Sequence, residues 1–324
     1  METAAISDTA MNCAECNVSC QRFGKHRNGL RRFRCPQCKR TYTEAHRLTL
    51  GEMYIPKEKA ALALQLLLEG NSIRSTMRIT GLDQNTIMKA LVLAGEKCER
   101  LLSEKISNLR VKDVQVDEIW GFVQKKENHK RPEEQAVDAI GDAYTFVGIE
   151  RNTKLILAWH LGRRTKVHTM FFMQKLRKAV NPHHWFQLTA DGFPPYVTAV
   201  EYYFNDKIDF AQLVKVYRAS SDTEQRYSPG EVAECIPTVI CGNPRPERIC
   251  TSHIERQNLT MRMQIRRLTR LTNGFSKKRE NLNAALALHF AYYNFCRIHR
   301  SLRVTPAMEA GLTDHVWDVE ELLA

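Results

Sequence analysis

Apolar positions follow a helical spacing over the first third of the chain and a strand-like spacing after it. Lys57 to Glu69 is rich in Ala and Leu and stops at Gly70, which predicts one helix. Ser72 to Ile79 predicts a second, short helix, and Thr80-Gly81-Leu82 reads as the turn that follows it. Asp83 is placed to cap a third helix running to about Lys97, with Glu99 to Asn108 as a helical linker. Helix, glycine-containing turn and helix is the signature of a helix-turn-helix unit. Past Leu109 the pattern changes. Val111 to Val123 predicts one strand or a bent pair, and Ala143 to Ile149 with Lys154 to Leu161 predicts a hairpin. Thr165 to Val180 reads as a helix with Met170, Phe171, Met173, Leu176 and Val180 on its apolar side. Trp185 to Thr189 predicts a strand, Pro195 to Phe204 a helix and Phe210 to Tyr217 another strand. After a long loop come a helix from Glu255 to Leu271, an apolar helix from Ala284 to Phe295 and short closing helices.

Spacing of cysteines adds a small module in front of these elements. Cys13-x-x-Cys16, eighteen intervening residues and Cys35-Pro-Gln-Cys38 match a four-thiolate zinc site. Cys20, His26 and His46 are alternatives for one ligand. So short a segment cannot build a hydrophobic core, and Zn²⁺ would supply its folding free energy. Between Glu15 and Glu44 there is no acidic residue, while Arg22, Lys25, Arg27, Arg31, Arg32, Arg34, Lys39 and Arg40 are present, interleaved with Phe23, Phe33 and Tyr42. Such a surface suits a phosphate backbone. At the start of the third helix, Gln84, Asn85 and Lys89 are side chains that reach base edges in a major groove. The whole chain of 324 residues carries a net charge of +12, which points to a polyanionic partner. Paired cysteines and the lack of a signal-like start at Met1 to Ala10 lead us to expect a cytoplasmic, nucleoid-associated protein with no membrane span.

Three acids change the picture from binding to chemistry. Asp117 in Val114-Gln-Val-Asp-Glu-Ile-Trp-Gly121 and Asp191 in Leu188-Thr-Ala-Asp-Gly192 each close an apolar, β-prone run. Glu255 in His253-Ile-Glu-Arg-Gln-Asn-Leu259 opens a helix. Hard carboxylate oxygens suit Mg²⁺ or Mn²⁺, and two such ions activate the attacking oxygen and stabilise the leaving one in phosphodiester chemistry. Arg262 and Arg266 follow Glu255 by seven and eleven residues, within about 20° of it on one continuous helix, and are expected to hold phosphates. Strand alternation directs Glu118 away from Asp117, which makes Glu118 the competitor and Asp117 the preferred ligand. Asp113, Asp138, Asp142 and Asp206 are weaker candidates.

The element order is that of a ribonuclease-H-like core, in which acids of the first and fourth strands meet one from a later helix. Val116-Asp-Glu-Ile-Trp-Gly-Phe-Val123, Thr189-Ala-Asp-Gly-Phe-Pro-Pro-Tyr196, His253 to Arg262, Arg267-Leu-Thr-Arg270 and Phe275-Ser-Lys277 resemble bacterial insertion-sequence DDE transposases of the insertion-sequence-one type. The resemblance implies a multidomain α/β protein: a zinc-ribbon-like finger (1–50), a helix-turn-helix with linker (51–108), a ribonuclease-H-like, retroviral-integrase-like catalytic domain (109–275) and a helical carboxyl-terminal segment (276–324). It implies Asp117, Asp191 and Glu255 as metal ligands, with Arg262 as the basic residue after the glutamate. The activity implied is binding of terminal inverted repeats in double-stranded DNA, followed by strand cleavage and joining to target DNA by a homo-oligomer. A transposase retained as a zinc-finger DNA-binding regulator is the alternative, and a nuclease on the same fold a third. The Ser220 to Thr251 insertion and the carboxyl-terminal tail depart from the shorter relatives. Cys235, Cys241, Cys250 and His253 in and beside that insertion are irregularly spaced and are expected to be ordinary side chains.

Overall fold

A computed structural model of the chain describes residues 11–26, 30–44, 50–51, 53–205, 207–217 and 232–323. Arg27, His46, Asp206 and the first part of the Ser220 to Thr251 insertion lie outside them. The molecule divides into two compact units, Met1–Ala60 and Ala61–Ala324.

The smaller unit is two matching turns and a three-stranded antiparallel sheet, β1 (Gln21–Lys25), β2 (Arg31–Arg34) and β3 (Thr41–Thr43), in that order. In each turn the first cysteine's amide donates to a carbonyl five residues on: Cys13 to Val18 and Cys35 to Arg40, both at 2.9 Å. The fifth residue of each turn, Asn17 or Lys39, takes a left-handed backbone (φ 52° and 59°) that folds the chain back. Cys13, Cys20, Phe33 and Cys35 form the core, with Met11, Cys16, Val18 and Tyr42 packed on it.

Three helices follow, α1 (Lys57–Leu68), α2 (Ile73–Thr80) and α3 (Gln84–Lys105). The Ser72 side chain accepts from the Ser75 amide and starts α2, and Gly81 at φ 68° ends it. Asp83 caps α3 as expected, accepting from the Asn85 amide at 2.8 Å. That helix runs eight residues past Lys97 and absorbs most of the stretch expected as a linker, because its buried face continues unbroken through Leu91, Ala94, Gly95, Cys98 and Leu102.

The central elements are β4 (Asp113–Val123), β5 (Gly141–Glu150), β6 (Ile156–Gly162), α4 (Lys166–Ala179), β7 (Gln187–Asp191), α5 (Pro195–Phe204), β8 (Asp209–Tyr217) and β9 (Val232–Cys241). They build one mixed sheet in the order β6-β5-β4-β7-β8-β9. β4, β7 and β8 run parallel, while β5, β6 and β9 are antiparallel to their neighbours. The buried stripe of α4 is Thr169, Phe172, Met173, Leu176 and Ala179, whereas Phe171, expected within it, is 48% exposed. β9 lies in the stretch expected as an insertion, pairs along β8 and is exposed over nine of its ten residues.

α6 (Ser252–Gln264) ends well before Leu271, and Arg266–Leu268 forms a separate 3-10 turn. The cause is local. The Arg262 guanidinium donates to the carbonyls of Leu268 (3.0 Å) and Trp120 (3.2 Å), and the Thr269 hydroxyl donates to the Arg262 carbonyl at 2.9 Å. These bonds draw the chain back instead of letting the helix continue. α7 (Arg279–Phe295), α8 (Pro306–Glu309) and α9 (Val319–Leu322) complete the unit. α3 packs along α7 so closely that a Cβ added at Gly95 would fall 2.5 Å from Ala284. Among the described residues no helix is long and apolar enough to cross a membrane.

Candidate functional site

Register brings the first two acids together. Val116 of β4 pairs with Ala190 of β7, so Asp117 and Asp191 follow side by side on parallel strands. Carboxylate oxygens of Asp117, Glu118 and Asp191 all lie within 4.8 Å of one another. The expectation that Glu118 points away therefore fails. The β4–β7 pairing ends at Val116 and Ala190, so Asp117 and Glu118 both lie past it, where β4 is flanked on that side only by the end of β7.

Each acid is held differently. The Asn258 side-chain amide donates to Asp117 Oδ2 at 2.8 Å, and the Glu118 backbone amide donates to Asp117 Oδ1 at 2.8 Å. Asp191 Oδ1 accepts from the Phe193 amide at 3.0 Å. Arg164 stands 3.5 Å from both Glu118 Oε2 and Asp191 Oδ2, with its guanidinium 4.0 Å over the Phe193 ring. Glu118 is nearly inaccessible, with the buried Tyr196 hydroxyl beside it as a hydrogen-bonding neighbour. Burial, reinforced by Asp191, pushes Asp117 up to about 7. Burial with the charges of Asp191 and Asp117 pushes Glu118 up to about 8. Crowded carboxylates that resist ionisation favour a cation between them.

Glu255 stands outside this set of three. It sits in the first turn of α6, ion-paired with Lys215 of β8 and bonded by the Thr251 hydroxyl. Burial raises its carboxyl, but the Lys215 and Thr251 bonds outweigh burial and the net shift is downward. Its charge still reaches Asp117, which it raises. Buried Gln115 seats the start of this helix, its Oε1 accepting from the His253 (3.0 Å) and Ile254 (3.2 Å) amides. Arg262, expected to hold phosphate, ties α6 to the carbonyls of Trp120 and Leu268. Arg266, expected on the same helical face, has left the helix.

Sequence reasoning passed over Asn258 and Arg164. Asn258 carries a usable signal, being three residues after Glu255 and so on its side of the helix. Arg164 carries none beyond its charge.

In the smaller unit the four sulfurs of Cys13, Cys16, Cys35 and Cys38 all lie within 4.8 Å of one another and could hold a metal ion such as zinc. Amides of Cys16 and Cys38 each point at the sulfur three residues back, at 3.4 Å. The Tyr42 hydroxyl, 3.0 Å from Cys13 Sγ, draws that thiol down to about 6, while hydrogen bonding to Cys38 and burial push Cys16 up to about 12. Cys20 is buried in the same core but outside the four, and the His26 ring bonds the Thr43 hydroxyl at 3.1 Å. Of the basic side chains, Arg32 and Arg34 lie over the exposed Phe23 ring at 5.3 and 5.1 Å. Arg34 also donates to the Lys39 carbonyl (3.3 Å), Lys39 to that of Pro36 (2.6 Å), and Arg40 pairs with Glu15. The Arg31 amide is bonded to Glu44. In the larger unit Gln84, Asn85 and Lys89 are exposed at the start of α3.

No protein-family model matches the sequence. No curated protein matches it either.

Proposed function

We propose that this chain is a DDE-type DNA transposase: it binds the ends of a mobile element, cleaves there and joins the freed strands to target DNA. The observation that carries the reading is the meeting of Asp117, Glu118 and Asp191 at the level where two parallel central strands part. The sheet order β6-β5-β4-β7-β8, with only β5 reversed among these five, supports a ribonuclease-H-like, retroviral-integrase-like core. The motif resemblance to insertion-sequence-one-type transposases points the same way.

The donor set fits a hard divalent cation, Mg²⁺ or Mn²⁺: every donor is a carboxylate oxygen, and the Glu118 side chain is buried among them. Asp117 and Asp191 would hold it, with Glu118 beside them and Glu255 available from α6 once released by Lys215. Such ions supply Lewis-acid activation of the attacking oxygen and stabilisation of the leaving one. Within the chain, Asn258 fixes the Asp117 carboxylate, and Arg164 sets a positive charge beside Asp191, where a scissile phosphate would lie. Zn²⁺ on the four cysteines would lock the basic hairpin, and α3 would present Gln84, Asn85 and Lys89 to double-stranded DNA. Phosphate contacts position and base contacts specify.

The test uses a supercoiled plasmid carrying the DNA segments that flank the gene on either side. Cleavage and joining should require Mg²⁺ or Mn²⁺ and disappear in Asp117→Ala and Asp191→Ala, while end binding persists. Cleavage without any divalent ion would overturn the reading. The Lys215–Glu255 ion pair favours a second reading, a DNA-binding regulator without chemistry. End binding with no cleavage in any divalent ion would select it.

A further inference from the structure

A second site lies in a cleft of about 660 Å³ lined by α2, the start of α3, the 3-10 turn at Arg266–Leu268 and α7. That volume falls within the range of small-molecule sites. Its lining includes Arg74, Arg266, Arg267 and Lys277, and no Asp or Glu. Arg267 is the telling one. Its guanidinium is largely buried, yet its bonds go to the Ser276 hydroxyl (3.2 Å) and the Met88 sulfur (3.4 Å), with no carboxylate in ion-pair range among the described residues. A desolvated cation facing a thioether lacks most of the compensation it had in water. Also lining the cleft, His289 is 1% exposed, and among the described residues neither of its ring nitrogens has a partner; Gln264 Oε1 is likewise unpartnered there. Burial holds His289 down at about 3, so it is neutral and presents one donor and one acceptor. Phe275 adds an aromatic wall.

Anion-seeking arginine, paired donor and acceptor, and a ring face occur here in one cavity. We propose that the cleft binds one nucleotide unit, its phosphate on Arg267 and its base against His289 and Gln264. The ligand is either a free mononucleotide or a nucleotide turned out of a DNA strand, a manoeuvre that requires such a pocket. This inference is independent of the acidic centre and of any cleavage activity.

The experiment is equilibrium binding of the full chain to the four deoxynucleoside monophosphates, inorganic phosphate and a short single-stranded oligonucleotide, without divalent ions. At least one monophosphate should bind tenfold or more tighter than phosphate. Arg267→Met should weaken it at least tenfold, and His289→Phe should weaken the nucleotide but not phosphate. Lys277→Glu, an exposed change at the rim, keeps the test open should the buried variants unfold, and should weaken nucleotide binding at least threefold. A His289-dependent oligonucleotide that outcompetes every monophosphate identifies the extruded-nucleotide source; the reverse order identifies the free one. Equal affinity for phosphate and nucleotide, or binding indifferent to Lys277→Glu and to whichever of the two buried variants folds, overturns the proposal.

Discussion

The cysteine cluster and the acidic centre are both sets of side chains that crowd together, and the chain assembles them in opposite ways. Each cysteine pair comes from one turn of a few residues, and the turn's own bonds, from Cys13 to Val18 and Cys35 to Arg40, aim the sulfurs inward. The acids come from neighbouring strands distant in sequence and meet only through the register of β4 against β7. The cysteines stand in a core of only a few side chains, the acids in a six-stranded sheet with helices packed on it. Loss of one ligand should therefore undo the fold in the first case and only the chemistry in the second.

The largest effects break that contrast if it is wrong. Cys35→Ser should take bound zinc from about one equivalent to none and dissolve β1–β3, followed by metal analysis and amide spectra. All four tryptophans, Trp120, Trp159, Trp185 and Trp317, lie in the larger unit, so its fluorescence melt should not move. Asp117→Ala and Asp191→Ala should lose all detectable strand cleavage with that melt no lower than wild type. Glu118→Ala, inert on strand alternation alone, should cost at least tenfold in cleavage, since its carboxylate shares the opening.

Smaller effects sharpen it. Asn258→Ala frees the Asp117 carboxylate to rotate and should weaken divalent-ion binding by about 10–100-fold, as loss of an outer hydrogen bond to a ligand does. Titration calorimetry with Mn²⁺ reads this directly, and unchanged affinity would exclude the positioning role. Glu118→Gln should raise stability in chelator near pH 7 by about 1–3 kcal/mol, because Glu118, which burial and its acidic neighbours push up to about 8, must take up a proton on folding and glutamine need not. A cysteine substitution has no such upside.

The last difference is in acid. Burial, with Lys175, holds His160 at about 3; burial, with Arg297, holds His289 there too. Both are depressed below the ordinary 6.5, so the unfolded chain takes up protons first. Their contribution is whole above about pH 6.5 and is lost as pH falls towards 3, on the order of 2 kcal/mol from each histidine by pH 5. His289→Phe should flatten the pH dependence of the tryptophan melt; an unchanged slope would put acid sensitivity elsewhere.

Features encoded within a few residues were legible in the sequence. Asp83 as a cap, Gly70 and Gly81 as stops, and the two Cys-x-x-Cys turns all act on their own neighbourhood. The succession of strands and helices along the chain from β4 to β8 followed from the apolar runs. What escaped depends on distant partners. β9 has almost no buried side chain to give it a period and exists because β8 offers a free edge. The end of α6 is set by Arg262 bonding Trp120, far back in β4. Glu118 follows Asp117 along β4, yet past the end of the β4–β7 pairing the two carboxylates meet. Asn258 becomes meaningful only when α6 is laid over β4.

α3 is a single rod of 22 residues, about 33 Å long, with no break between the exposed Gln84 and Asn85 at its head and the Gly95–Ala284 seam. Two backbones that near each other cannot slide independently, since Gly95 has no side chain to yield and Ala284 only a methyl. A torque applied at the head must turn α7 or bend a helix, and α7 rests against β6. The protein therefore carries a mechanical shaft from its exposed helical tip to its sheet, and Gly95→Val would jam the bearing while leaving every polar group at either end untouched.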